Sequence, residues 1–176
     1  MASKQGSIGL VTFGDVDRDS LSFLPPALEE ILGLPAEWGP SLSIPEGSYR
    51  EKRRQYLAAP FIEALADLPD DAYLRLLGIT DVDFFTTGLN FIFGQAIIGG
   101  RECLISLARL RPSFYGQQDD AALFQERVIK EAVHELGHTF GLSHCGDTRC
   151  VMMFSNSLSD TDRKSSSFCD ACRSSI

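Results

Sequence analysis

All three histidines of this chain fall within one stretch, His134-Glu135-Leu136-Gly137-His138-Thr139-Phe140-Gly141-Leu142-Ser143-His144. On a helix, His134 and His138 share one face about 6 Å apart along the axis, so two imidazoles can hold one ion from the same side. Glu135 points away from the direct ligand direction but stays near the metal, where it can take a proton from a bound water. The helix cannot supply a third ligand well, so the chain must turn. Gly141 can take the left-handed conformation that ends a helix. After that turn His144 can fold back onto the ion. Three neutral imidazoles leave a fourth position for water, whose pKa zinc lowers from about 15.7 to near 7. The pattern H-E-x-x-H-x-x-G-x-x-H is thus a three-histidine zinc site with its general base, and its chemistry is hydrolysis.

Four of the five cysteines follow directly, as Cys145-x4-Cys150 and Cys169-x2-Cys172. Disulfides are one reading. The other, a closed zinc site of four thiolates, suits a chain that stays in a reducing compartment. Residues 1–10 lack the long apolar run of a secretory signal, and no stretch reaches transmembrane length. The expectation is therefore a cytoplasmic chain with two zinc ions, one catalytic and one structural. Four thiolates around zinc carry net negative charge, which Arg149, Arg163, Lys164 and Arg173 are placed in sequence to offset. Cys103, inside the apolar run Cys103–Ala108, is expected in the core rather than at a metal.

These residues resemble the archaemetzincins, metzincin-type proteins of archaea and vertebrates. The resemblance is sharpest over 119–172: the elongated histidine motif, the cysteine immediately after His144, the run Cys145-x4-Cys150-x-Met152, and Cys169-x2-Cys172. It is looser in Gly88–Gly94 and Ser106–Leu110. The resemblance implies His134, His138 and His144 as catalytic zinc ligands, Glu135 as general base, and Met152 as the turn methionine beneath the site. It also implies Cys145, Cys150, Cys169 and Cys172 as ligands of a structural zinc. Some other metzincins carry a tyrosine after the methionine turn; here Phe154 stands there. Stabilisation of a carbonyl must then come from zinc, backbone N–H groups or protonated Glu135.

The chain has 176 residues, 44% of them apolar and 23% charged, which suits one globular domain. Its net charge of −8 argues against nucleic-acid and anionic-membrane partners, which need basic patches. The same charge serves solubility first, and only mildly favours cationic substrates such as a free α-amino group. A peptide or protein substrate and a monomeric state are expected. The first strand begins near Ile8, which leaves no room for an N-terminal propeptide.

The elements that must position these residues can be placed along the chain. Strands are expected at Ile8–Phe13, Ser41–Ile44, Tyr73–Thr80, Phe91–Ile98 and Cys103–Leu107, the last two joined as a hairpin through Gly99-Gly100. Phe23–Leu32, opened by Pro25 and closed by Gly33, predicts a helix. Tyr49–Leu68 gives a helical pattern interrupted at Pro60, with Arg50–Arg54 as its solvated face. Asp119 or Asp120 caps the zinc helix, about 120–140, whose Phe124, Val128, Ala132, Val133 and Leu136 pack under the sheet. Residues 155–167 read as a surface loop. The fold class is α+β, a metzincin-type mixed twisted sheet with helices, divided into 1–141 and a small irregular zinc-bound part at 142–176. Phe91–Ile98 is the expected edge strand above the zinc, where an extended peptide could add by main-chain hydrogen bonds.

Three functions share these features. The leading one is a zinc metallopeptidase, in particular an aminopeptidase. The others are a non-catalytic zinc-stabilised binding module and a zinc amidase acting on a non-peptide amide.

Overall fold

A computed structural model of the chain describes residues 6–176; residues 1–5, on which the reading of the first ten residues partly rests, lie outside the described residues. In chain order the elements are β1 (Ile8–Phe13), α1 (Leu24–Leu32), β2 (Ala36–Leu42), β3 (Tyr49–Arg50), β4 (Gln55–Leu57), α2 (Ala59–Ala66), β5 (Arg75–Thr80), β6 (Phe84–Phe85), β7 (Gly94–Ala96), β8 (Glu102–Ser106), α3 (Ala121–Thr139), α4 (Leu158–Arg163) and α5 (Asp170–Arg173).

The first apolar run is buried along its whole length, and its side chains alternate between two cores. Ile8 and Leu10 face one, Val11 and Phe13 the other. β5 and β8 divide in the same way: Leu77, Ile79, Cys103 and Ile105 on one face, Leu76 and Leu104 on the other. Strands covered on both faces pair in parallel. β1 lies parallel to β2 and β5, and β5 parallel to β8. β7 returns antiparallel at the edge, giving a mixed five-stranded sheet in the order β2-β1-β5-β8-β7. Helices α1 and α3 cover one face, and α2 covers the other. The fold is α+β with a mixed sheet, as the sequence predicts. Among the described residues, no helix is long and apolar enough to cross a membrane.

Several boundaries differ from expectation, each for a local reason. Residues 49–68 are not one helix. Tyr49 and Tyr56 pair across a short hairpin, ring centroids 4.9 Å apart, and Arg50–Arg54 form its turn with Arg54 at φ 56°. Pro60 then sits in the first turn of α2, where its missing N–H costs nothing, so it starts the helix instead of interrupting it. β2 begins at Ala36, ahead of the predicted 41–44, and runs through Pro40; an edge strand tolerates that proline. β7 keeps only Gly94–Ala96 of the predicted 91–98, because Ile92 bridges to Phe84 of the small second sheet, β3-β4-β6. Its hairpin to β8 forms as predicted, closed by Ile97 N–H to Glu102 O at 3.0 Å. Residues 155–167 are not all loop: α4 rises from Ser157, whose hydroxyl and the Asp160 carboxylate cap each other's backbone N–H.

Candidate metal centre and cleft

The helix expected to carry the first two histidines is α3. Asp120 caps it, its Oδ1 accepting the Leu123 N–H at 3.0 Å. Phe124, Val128, Ala132, Val133 and Leu136 fix the helix against β5 and β8 in one core. This packing makes the last two turns rigid, and they carry His134, Glu135 and His138. The helix ends at Thr139. Gly141 then takes φ +94°, a conformation that side chains disfavour, and the chain turns back. That turn brings His144 to the helix, its ring centroid 5.4 Å from His134 and 4.9 Å from His138.

The three imidazoles offer nitrogens that all lie within 4.8 Å of one another. Nδ1 of His134 is 2.8 Å from the Val151 carbonyl, and Nδ1 of His138 is 2.7 Å from the Leu142 carbonyl. A carbonyl can only accept, so both Nδ1 atoms carry the proton and each Nε2 keeps its lone pair. Those two Nε2 atoms stand 3.1 Å apart. Facing lone pairs at that distance repel unless a cation lies between them. Two nitrogens bound to one tetrahedral zinc would be roughly 3.3 Å apart. Burial holds the imidazole of His134 well below the usual histidine range, and the Lys164 ammonium adds to the effect. Burial also lowers His138 and His144. Neutral imidazole is the form that binds metal, so the donor set fits zinc.

Glu135 faces β7. A Cβ on Gly94 would stand 2.7 Å from its Oε1, so the strand can approach the carboxylate only because residue 94 is glycine. Burial pushes this carboxyl well above the usual carboxylate range; neighbouring Glu131 adds to the shift and Lys164 opposes it. A carboxyl whose charged form is disfavoured by burial accepts a proton more readily. The cleft itself has a volume of about 440 Å³. Its helix side is His134, Glu135, His138 and Glu131; Phe91, Phe93, Gly94 and Ile98 form the facing wall, with Phe154 at the rim. Phe154 packs on His144, ring centroids 4.7 Å apart, and brings no hydrogen-bond donor to the site.

Met152 lies fully buried beneath the helix. A Cβ on Gly137 would come within 2.4 Å of its sulfur, so α3 and the methionine turn meet where the helix has no side chain. The turn also supplies Val151 O to His134. One residue earlier, Cys150 joins Cys145, Cys169 and Cys172 in a cluster whose sulfurs lie within 4.8 Å of one another. All five cysteines are free thiols. Cys145 and Cys169 sulfurs are 3.8 Å apart, far beyond a disulfide length but the separation of two thiolates about 2.3 Å from one tetrahedral zinc. Cys169 accepts the Cys172 N–H, which favours its thiolate, whereas burial raises Cys150 and Cys172. Cys103 stands apart in the core, its thiol donating to Leu76 O, as expected.

Of the basic residues near the cysteines, Arg149 lies beside Cys150 and Cys169, whereas the other three have partners elsewhere. Lys164 is fully buried and directed toward the histidines, where it pairs with Glu131. Arg163 pairs with Asp160, and Arg173 donates to Ile31 O while stacking on Phe168. Sequence reasoning also missed Arg53. Far from a purely solvated charge, it lies over the Phe85 ring and donates to the carbonyls of Leu89 and Asn90, bracing one rim of the cleft. Lys164, Arg53 and Arg173 each find a partner more than thirty residues away, which no local pattern reveals; the Arg163–Asp160 pair is local.

Comparison with known proteins places this arrangement in a family. A sequence profile of peptidase family M54 matches residues 33–176. Archaemetzincin of Pyrococcus furiosus is 45% identical over 169 residues, covering 93% of this chain and 88% of that protein. The crystal structure of archaemetzincin from Methanopyrus kandleri superposes with a TM-score of 0.85 at 39% identity, covering 99% of this chain and 94% of that one. A zinc-dependent peptidase from Methanocorpusculum labreanum superposes with a TM-score of 0.86 at 27% identity, covering 96% and 99%. The chain belongs to peptidase family M54, the archaemetzincins.

Proposed function

We propose that this zinc-dependent peptidase hydrolyses peptide bonds in the cleft beside α3, with His134, His138 and His144 holding the catalytic zinc and Glu135 as general base. The convergence of three imidazole nitrogens within 4.8 Å, with Glu135 beside them, carries this reading. Zinc bound there would acidify water and polarise a carbonyl. The chain's own groups do the rest. Val151 and Leu142 carbonyls fix the two helix imidazoles in the tautomer that presents Nε2. The Glu135 carboxylate takes a proton from the attacking water and returns it to the leaving amine. Apolar Phe91, Phe93 and Ile98 seat the substrate and exclude bulk water. The edge strand β7 offers main-chain groups to an extended peptide.

A second zinc, held by Cys145, Cys150, Cys169 and Cys172, would fix the segment that carries the methionine turn. Four thiolates persist best under reducing conditions, which favours a cytoplasmic setting.

Mass spectrometry of a mixed-length peptide library, incubated with zinc-loaded protein and with zinc-loaded Glu135→Ala, tests this. Cleavage by the wild type alone is expected, and loss of single N-terminal residues would identify an aminopeptidase. A wild type with its histidine site filled that cuts nothing would favour a binding module or a non-peptide amide substrate.

A further inference from the structure

Behind the histidines lies a buried ion pair that the reaction does not use. Glu131 stands on α3 three residues before His134 and four before Glu135, so all three share one helix face. Its carboxylate belongs to the cleft wall. Oε1 is held by Lys164 Nζ at 3.2 Å and by the Thr161 hydroxyl at 3.0 Å, and both partners are fully buried. The ammonium also sits 3.4 Å from Nδ1 of His134 and 3.5 Å from the Met153 carbonyl. Nδ1 already donates to Val151 O, so the ammonium is a packing and charge neighbour of the ring, not its hydrogen-bond donor. Lys164 and Thr161 both come from α4 and its C-terminal cap, in the segment between the two cysteine pairs.

Burying two charges is costly, and apolar residues of similar volume are often at least as stable. A second carboxylate one turn from Glu135 is also a hazard: unpaired, it would be a hard oxygen ligand and a competing base beside a site meant to keep one position open for water. Lys164 removes that hazard by holding Glu131 toward α4.

We propose that Lys164 and Thr161 are positioning residues that hold the Glu131 carboxylate away from the metal, so that the three histidines keep an open fourth position and Glu135 is the sole base. The inference rests on the histidines being the metal ligands. It also gives the segment between the cysteine pairs a part in catalysis, since that segment supplies both holding groups.

The test replaces the histidine-site metal with cobalt and compares visible spectra, retention of the metal against a chelator, and peptide cleavage. In the wild type the four-coordinate cobalt bands should disappear with His144→Ala; bands that survive would overturn the histidine reading and this inference with it. With the histidine reading upheld, Lys164→Met should weaken the bands as the released carboxylate raises the coordination number. Its kcat should fall about 10–100-fold with KM little changed, the usual effect of removing an outer-shell partner. Glu131→Gln added to Lys164→Met should restore both the spectrum and most of kcat, because the offending carboxylate is gone. Thr161→Val removes one hydrogen bond without stranding a charge; should Lys164→Met not fold, it reads the same effect at about 3–10-fold. Wild-type spectra and rates in the single variants, or a double variant no better than Lys164→Met, would overturn the inference and leave the pair a purely structural feature.

Discussion

The histidine and cysteine clusters gather similar numbers of donors at similar spacing, yet they are built in opposite ways. Two of the three histidines sit on a long helix buried against the sheet, their outer nitrogens tied to backbone carbonyls. The four cysteines come from turns and from the N-terminal cap and body of α5, a four-residue helix, and they belong to the part of the chain with the least regular structure. A donor set on a rigid element can leave one position open, because the scaffold holds the geometry. A donor set on loops must use every ligand, because the ion itself supplies the geometry. The contrast predicts that losing metal from the first cluster costs activity, while losing it from the second costs structure.

The largest expected effect breaks the second half of that comparison. Cys172→Ser should release one zinc equivalent and expose 142–176 to protease, since structural zinc sites carry roughly 10–16 kcal/mol of coupled binding and folding free energy. Metal content and limited proteolysis together read this out. If the variant keeps both its zinc count and its protease resistance, the cysteine cluster is not a structural metal site.

Glu135→Gln tests the first half. It should lower kcat by roughly 10²–10⁴-fold, the usual contribution of a positioned acid–base group, with metal content and Tm held. A drop in Tm together with loss of metal would instead make Glu135 part of the scaffold. Met152→Ala sharpens the boundary between the two clusters. Removing a fully buried side chain from beneath Gly137 should cost about 2–5 kcal/mol in urea denaturation, whereas Met152→Leu should cost less than about 1.5 kcal/mol. The smallest effect is Asp120→Ala, which removes only the cap of α3. A loss of about 1 kcal/mol with cleavage unchanged is expected, and a larger fall in activity would show that the far end of the helix governs its metal-binding end.

How much of this was legible in the sequence depended on range. The zinc helix, its capping aspartate, its glycine turn and the parallel strands β1, β5 and β8 all carry a local signal, a period or a terminal residue, and all stand within a few residues of expectation. The two-residue strands β3 and β6 have no period to detect, and they form because both pair with β4, Tyr49 opposite Tyr56 and Phe84–Phe85 beside Tyr56–Leu57. Pro60 was ambiguous, since a proline starts a helix as readily as it stops one. The α4 capping box, Ser157 to Asp160, was visible in the sequence, but a serine- and aspartate-rich stretch looks the same as a loop. Lys164 could not be assigned from neighbours at all. In sequence it stands near the cysteines; in space it belongs to Glu131, thirty-three positions earlier.

Cys150, Val151 and Met152 are consecutive, yet the first lies in the cysteine cluster, the second supplies the carbonyl that orients His134, and the third packs beneath α3. Such a tripeptide couples the two clusters mechanically. A shift of Cys150 is therefore passed through one peptide bond to the carbonyl that orients His134. In the proposed arrangement, zinc lost from the cysteines would be felt at the histidines without any contact between the two sets of ligands.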